Sequence, residues 1–297
     1  MSLTAQVALV SEIAAVKPQQ LMKVAAALQK QVTRDVSPIW GIHATVDAFA
    51  SLDDVEIGYW PIIVVEDVPN AAGVHLDQDG QPYALVEFGN SWSLTASHEC
   101  IEMLIDPFGD RLVAGRSPKP GQGRVEFLVE ACDPSQAAQF AYTVNGVLVS
   151  DFYTPQFFDP VPAFGVRYGF GPHLRSPRKI LKGGYISWHD PVSNHWFQQN
   201  WFGGPAPKYR DLGVFSASDP RSIREIIDSK TPELIRLSHV GPSEAMYKDS
   251  VKALQGIDAS TSARSKRLRE QIRALTRAGR ASAGAERGRS GRKAYKK

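Results

Sequence analysis

The sequence predicts an α+β fold: a mixed sheet with one chemically active helix, followed by a β-rich second lobe. Three observations carry this. Apolar residues recur at strand and then helix spacing through residues 6–32, and β-branched, alternating stretches with a hairpin signal fill 39–88. The stretch 93–105 then carries ionisable residues of metal-binding type inside an otherwise apolar helical pattern. The expected organisation is an N-terminal lobe over 1–115, a β-rich lobe over 116–215, a helical extension over 216–260 and a basic, largely disordered tail over 261–297.

Residues 6–11 form a short apolar run suited to a buried strand. After Lys17-Pro18, with proline in a first helical turn, Leu21, Val24, Ala25, Leu28 and Val32 keep helix period up to Pro38, which ends the helix. Residues 39–49 and 60–67 have strand character, with Ser51, Asp53, Asp54 and Gly58 in the linker between them. A turn at 70–73 leads into a hairpin that pairs 73–76 with 83–88 about Asp79-Gly80. Ser91, Ser93 and Thr95 then offer oxygens to the free amides of a helix start. Leu94, Ile101, Leu104 and Ile105 give this helix its apolar stripe, and Asp106-Pro107 with Gly109 stops it.

Downstream, residues 125–131, 141–144 and 147–152 read as strands, with Asn145-Gly146 as a type I′ hairpin signal. Aromatics and prolines at 155, 160 and 162 make 153–171 an ordered irregular wall. Around Tyr185, Trp188, His189 and Asp190 the plain reading is aromatic packing. The chemical alternative makes Tyr185 a hydrogen-bond donor to a developing oxyanion and His189-Asp190 an oxyanion donor, a proton shuttle or a third metal ligand. His43, His75 and His173 are read as structural. Helices are expected at 222–230 and 243–254.

Composition limits the chemistry. Cys100 and Cys132 are too few for a disulfide framework and lack thiolate-zinc spacing, so both read as small buried hydrophobes. The start of the chain has no basic n-region and no 18-residue apolar run follows, which points to a cytoplasmic protein without a transmembrane segment. The net charge of +3 conceals an asymmetry: 264–297 holds thirteen Lys or Arg against two Glu, +11, leaving −8 for 1–263. Such a tail suits weak contact with nucleic acid or an anionic surface. No phosphate loop, dinucleotide fingerprint or Gly-x-Ser-x-Gly elbow is present.

The chemistry centres on His98-Glu99-Cys-Ile-Glu102. Residues four apart on a helix lie one above the other, so His98 and Glu102 can share one ion, with Glu99 one position round as a general base. A third ligand has two candidates. Asp106 is eight residues past His98, about 12 Å along an unbroken helix, and reaches the ion only if the chain turns at Pro107; otherwise it orients His98. Glu130 shares a strand face with Glu126 and Leu128 and is the favoured of the two.

This order of elements, with His-Glu-x-x-Glu on the helix, resembles the N-terminal half of the zincin metallopeptidases, over roughly residues 5–110. The resemblance implies a zinc ion held by His98 and the residue at 102, Glu99 activating water, and a peptide or other amide as substrate. Glu102 stands where the family has its second histidine, and one histidine with two carboxylates also suits iron or manganese. A second reading is a noncatalytic structural or interaction protein that keeps a zincin-like shell and binds through its basic tail.

Overall fold

The computed structural model describes residues 4–69 and 71–232, together with Lys266, Glu270 and Arg273. The chain divides into two units, Met1–Lys248 and Asp249–Lys297. Both lobes expected from the sequence fall within the first. In the second, Lys266, Glu270 and Arg273 are helical and exposed; the helix expected at 243–254 and the rest of the basic tail lie outside the described residues.

The content is α+β, with two five-stranded sheets and few helices. The first sheet contains β1 (Ala5–Ser11), β2 (Ala44–Ala48), β3 (Tyr59–Val65), β4 (Gly73–Gln78) and β5 (Gln81–Glu87) in the order β2-β1-β3-β5-β4. Its pairings are parallel except at the edge, where β4 runs antiparallel to β5. Val7 to Val10 are fully buried at its centre, as an apolar run covered on both faces should be. The β4–β5 hairpin turns at Asp79 and Gly80, both with positive φ, 53° and 80°, the type I′ geometry that Asp-Gly encodes.

The helix α1 (Pro18–Gln31) does not stop where Pro38 predicts. Val32–Val36 widens into a π-helical segment, and Pro38 falls in the first turn of a short helix, α2 (Ser37–Trp40), where a missing N–H costs nothing. Gly41, at φ 68°, ends this path, so the strand expected from 39 begins only at Ala44.

The second sheet is antiparallel, in the order β12-β11-β10-β7-β6. Its strands are β6 (Leu112–Arg116), β7 (Arg124–Leu128), β10 (Tyr185–Asp190), β11 (His195–Asn200) and β12 (Lys208–Gly213). β8 (Tyr142–Val144) and β9 (Val147–Val149) form a separate hairpin about Asn145 and Gly146, with φ 53° and 76°. Phe127, Trp188, Phe197, Phe152, Tyr153 and Phe157 build the aromatic core here together with Ile101 and Ile105, which come from α3 (Trp92–Ile105). The helix α4 (Ile223–Lys230) follows this sheet; Ser222 caps it by accepting from the Glu225 amide. Among the described residues no helix is long and apolar enough to cross a membrane.

Candidate metal centre

Ten of the fourteen residues of α3 are buried, because it packs on β3, β4 and β5 and also against β9. A helix enclosed this completely must give each polar side chain a partner inside the protein. Ser97 meets that need by donating to Gln31 Oε1 at 2.7 Å and accepting from the Ser150 amide at 2.9 Å. The helix start has no such service from its serines. Ser91 holds the cap position without a side-chain capping bond, and Ser93 donates to the Leu148 carbonyl.

His98 and Glu102 come together as their spacing implies, Nε2 to Oε2 at 3.3 Å. The same Nε2 lies 3.3 Å from Oδ1 of Asp133, which sits in a short 3-10 turn, Asp133–Ser135, beyond β7. One ligand atom from each of these three residues lies within 4.8 Å of the others. Neither Asp133 oxygen has a hydrogen-bond partner among the described residues, although Asp133 is 1% exposed. The other oxygen of Glu102, Oε1, accepts the Cys132 amide at 3.0 Å, so the residue before Asp133 also fixes the Glu102 carboxylate.

Glu102 Oε2 has further neighbours. Nη1 of Arg224, from α4, lies 2.5 Å away, and Nδ1 of His75, from β4, is at 3.8 Å. His75 Nδ1 is 3.4 Å from Glu99 Oε2, and His75, Glu99 and Glu102 form a second group able to hold a metal ion. Glu99 therefore faces His75 and also Arg224, whose Nη2 is 3.8 Å from Oε2.

The two candidates for a third ligand are placed differently from Asp133. Asp106 spends its carboxylate on the amides of Asp110 and Arg111, at 3.2 and 2.9 Å, and so holds the turn after α3. β7 ends at Leu128, so Glu130 is not on the strand face of Glu126 and Leu128; Arg224 Nη1 lies 3.7 Å from its Oε1. Neither completes a three-residue metal group with His98 and Glu102 among the described residues. His189 is engaged with Glu126 and Asn194, and Asp190 with Ser193 and the Val192 amide, so both serve the β10–β11 turn. Trp188 is wholly buried, as the packing reading expects.

The electrostatics show a shortage of positive charge. Burial opposes charge on His98, but Glu102 and Asp133 outweigh it and hold the imidazole well above its ordinary range. Burial would raise Glu102 too, and His98 and Arg224 reverse that, keeping it well below the carboxylate range. Glu130 and Asp133 go the other way: burial lifts both, and Asp133 beside Glu130 and Glu102 beside Asp133 add to it. Tyr153, 1% exposed with an unpartnered hydroxyl, is raised by burial and then by Glu102 and Glu130.

Asp133, His75 and Arg224 are the residues that sequence reasoning missed. Arg224 did leave a signal, since it shares a helix face with Ile227 and Asp228 at i, i+3 and i+4, a charge on an otherwise buried stripe. Asp133 left less, a lone acid before Pro134 in a loop. Open cavities of about 620 and 460 Å³ share Val166 and Arg167, and neither is lined by His98, Glu102 or Asp133. Comparison with protein-family models, with curated proteins and with solved structures found no match.

Proposed function

We propose that this protein is a metal-dependent hydrolase of amide bonds, zincin-like in its N-terminal lobe, with a divalent ion held by His98, Glu102 and Asp133. One observation carries the reading. Ligand atoms about 2.0–2.1 Å from a tetrahedral zinc ion are about 3.3–3.4 Å from one another. His98 Nε2 lies 3.3 Å from both Glu102 Oε2 and Asp133 Oδ1, and the ligand atoms of all three residues lie within 4.8 Å of one another. The buried Asp133 oxygens without a hydrogen bond, and the buried carboxylates of Glu99, Glu102 and Glu130 around them, fit a cation of charge two. Support at the level of the fold is the mixed sheet with α3 packed on the antiparallel edge strand, the surroundings that the motif has in zincins.

When bound, the ion supplies a Lewis acid that polarises a carbonyl and makes water more acidic. The chain's own residues do the rest. Glu99 is raised by burial, but His75, His98 and Arg224 outweigh this and keep it below the usual carboxylate range, hence ionised at neutral pH. It takes the proton of the attacking water and delivers it to the leaving nitrogen. His98 is the most exposed of the three ligands, its side chain 12% accessible, so the substrate approaches on its side.

Metal analysis of the purified chain beside Asp133→Asn and Glu99→Gln tests this, with quenched fluorogenic peptides as substrate. One ion per chain is expected in the wild type and in Glu99→Gln, and loss of the ion in Asp133→Asn. Hydrolysis falls by about 10²–10⁴-fold in Glu99→Gln. A wild type that takes up no ion sinks the proposal. The closure of the site, with Glu99, Glu102 and Asp133 at 3% exposure or less, favours one other reading, a structural ion in a noncatalytic protein. That reading predicts the same metal content with no hydrolysis of any peptide in the panel and a lower melting temperature on chelation.

A further inference from the structure

We infer that this centre is laid out for two cations side by side, and that the second position is filled by the guanidinium of Arg224. The inference rests on the metal reading above. Two sets of ligand atoms share Oε2 of Glu102: His98 and Asp133 on one side, His75 and Glu99 on the other. A carboxylate common to two ligand sets is how a pair of metal ions about 3.5–4 Å apart is bridged.

His75 is prepared as a ligand. Its Nε2–H donates to the Asp106 carbonyl at 3.1 Å, which can only accept, so Nδ1 is the nitrogen that carries the lone pair in the neutral ring. A histidine that ligates a metal commonly gives its other N–H to a backbone carbonyl in this way. Nδ1 faces Glu99 Oε2 at 3.4 Å and Glu102 Oε2 at 3.8 Å and has no hydrogen-bond partner among the described residues. His75 is 3% exposed. Two buried carboxylates this close together call for a positive charge among them.

The structure puts that charge on Arg224. Nη1 is 2.5 Å from Glu102 Oε2 and Nη2 is 3.8 Å from Glu99 Oε2, while Glu130 and Asp228 close the ring at 3.7 Å each. The guanidinium does not deprotonate in a protein, so this side holds a permanent single charge, 4% exposed and anchored by α4. Both arms of the guanidinium face the carboxylates of the His75 set, Nη1 on Glu102 Oε2 and Nη2 on Glu99 Oε2, so a second cation there would stand against a fixed like charge. The native chain therefore takes one divalent ion, on the His98 side, and Arg224 sets that number.

Zinc stoichiometry at saturation, measured by elemental analysis after gel filtration, tests this without relying on activity. The wild type should hold one zinc per chain, folded Arg224→Ala two, and Arg224→Ala with His75→Ala one again. In the native background His75→Ala should keep one zinc with its affinity changed by less than about threefold, a measurement that stands if Arg224→Ala does not fold. Two zinc ions in the wild type overturn the inference, as does one in folded Arg224→Ala or loss of the ion from His75→Ala alone. The first two results leave the metal reading intact, whereas the third moves the ion to the His75, Glu99 and Glu102 group. A wild type without zinc ends both.

Discussion

Gly73 shows how tightly single residues hold the centre. It starts the edge strand β4, and a methyl group there would collide with the Thr95 methyl and stand 2.7 Å from Glu99 Oε1, both on α3. Gly73→Ala should therefore cost about 1–3 kcal/mol by overpacking, read from urea denaturation, and should push Glu99 away from its partners. Ser97 is the counterpart on the other side of the helix. Wholly buried, it joins Gln31 of α1 to the Ser150 amide, so Ser97→Ala leaves both without their partner and should cost about 1–3 kcal/mol in the same assay. Either change proving neutral would mean that the packing around α3 relaxes more readily than its burial implies.

Among the elements, α3 and the 3-10 turn at Asp133 have to meet for the ligand set to form, and β10 decides where that turn lies. A Cβ on Gly184, just ahead of β10, would be 2.6 Å from the Asp133 carbonyl and 2.5 Å from that of Pro134. Gly184→Ala must move the turn, and on the proposed metal reading zinc affinity should fall by about 10–100-fold with little change in secondary structure, as titration against a zinc indicator would report. This also explains what was legible. The helix over 93–105, the turns at Asp79-Gly80 and Asn145-Gly146, and the helix over 222–230 agree with the sequence to within a residue or two, because spacing and local turn preference specify them. The π-helical segment Val32–Val36 ahead of Pro38 and the early end of β7 were not legible, because no local spacing or turn signal marks either.

Over the whole molecule the buried charges set a pH dependence. Burial lifts the Asp228 carboxyl to about 7 despite Arg224 beside it, well above its ordinary 3.8. The folded protein then binds more protons than the unfolded one between those values, so the contribution of Asp228 is complete below 3.8 and is lost as the pH rises to about 7. Glu99 and Glu102 act in the opposite sense: their contribution is present above 4.5 and is lost as the pH falls. In metal-stripped protein, Asp228→Asn should gain about 1–3 kcal/mol on the wild type between pH 5 and pH 8, less than full burial would give because a fifth of the Asp228 side chain is exposed. A gap between the two proteins that does not change with pH would show that Asp228 is ionised throughout.

By itself the sequence determined the α+β class, the helix that carries His98, Glu99 and Glu102, and the facing of His98 on Glu102, since residues four apart on a helix must share a face. Only the tertiary structure decided that Asp133 comes beside His98, and that His75 and Arg224 come beside Glu102. These residues come from a loop, an edge strand and a helix more than a hundred positions downstream. No local periodicity links them, and their meeting is fixed by the packing of two sheets around one buried helix.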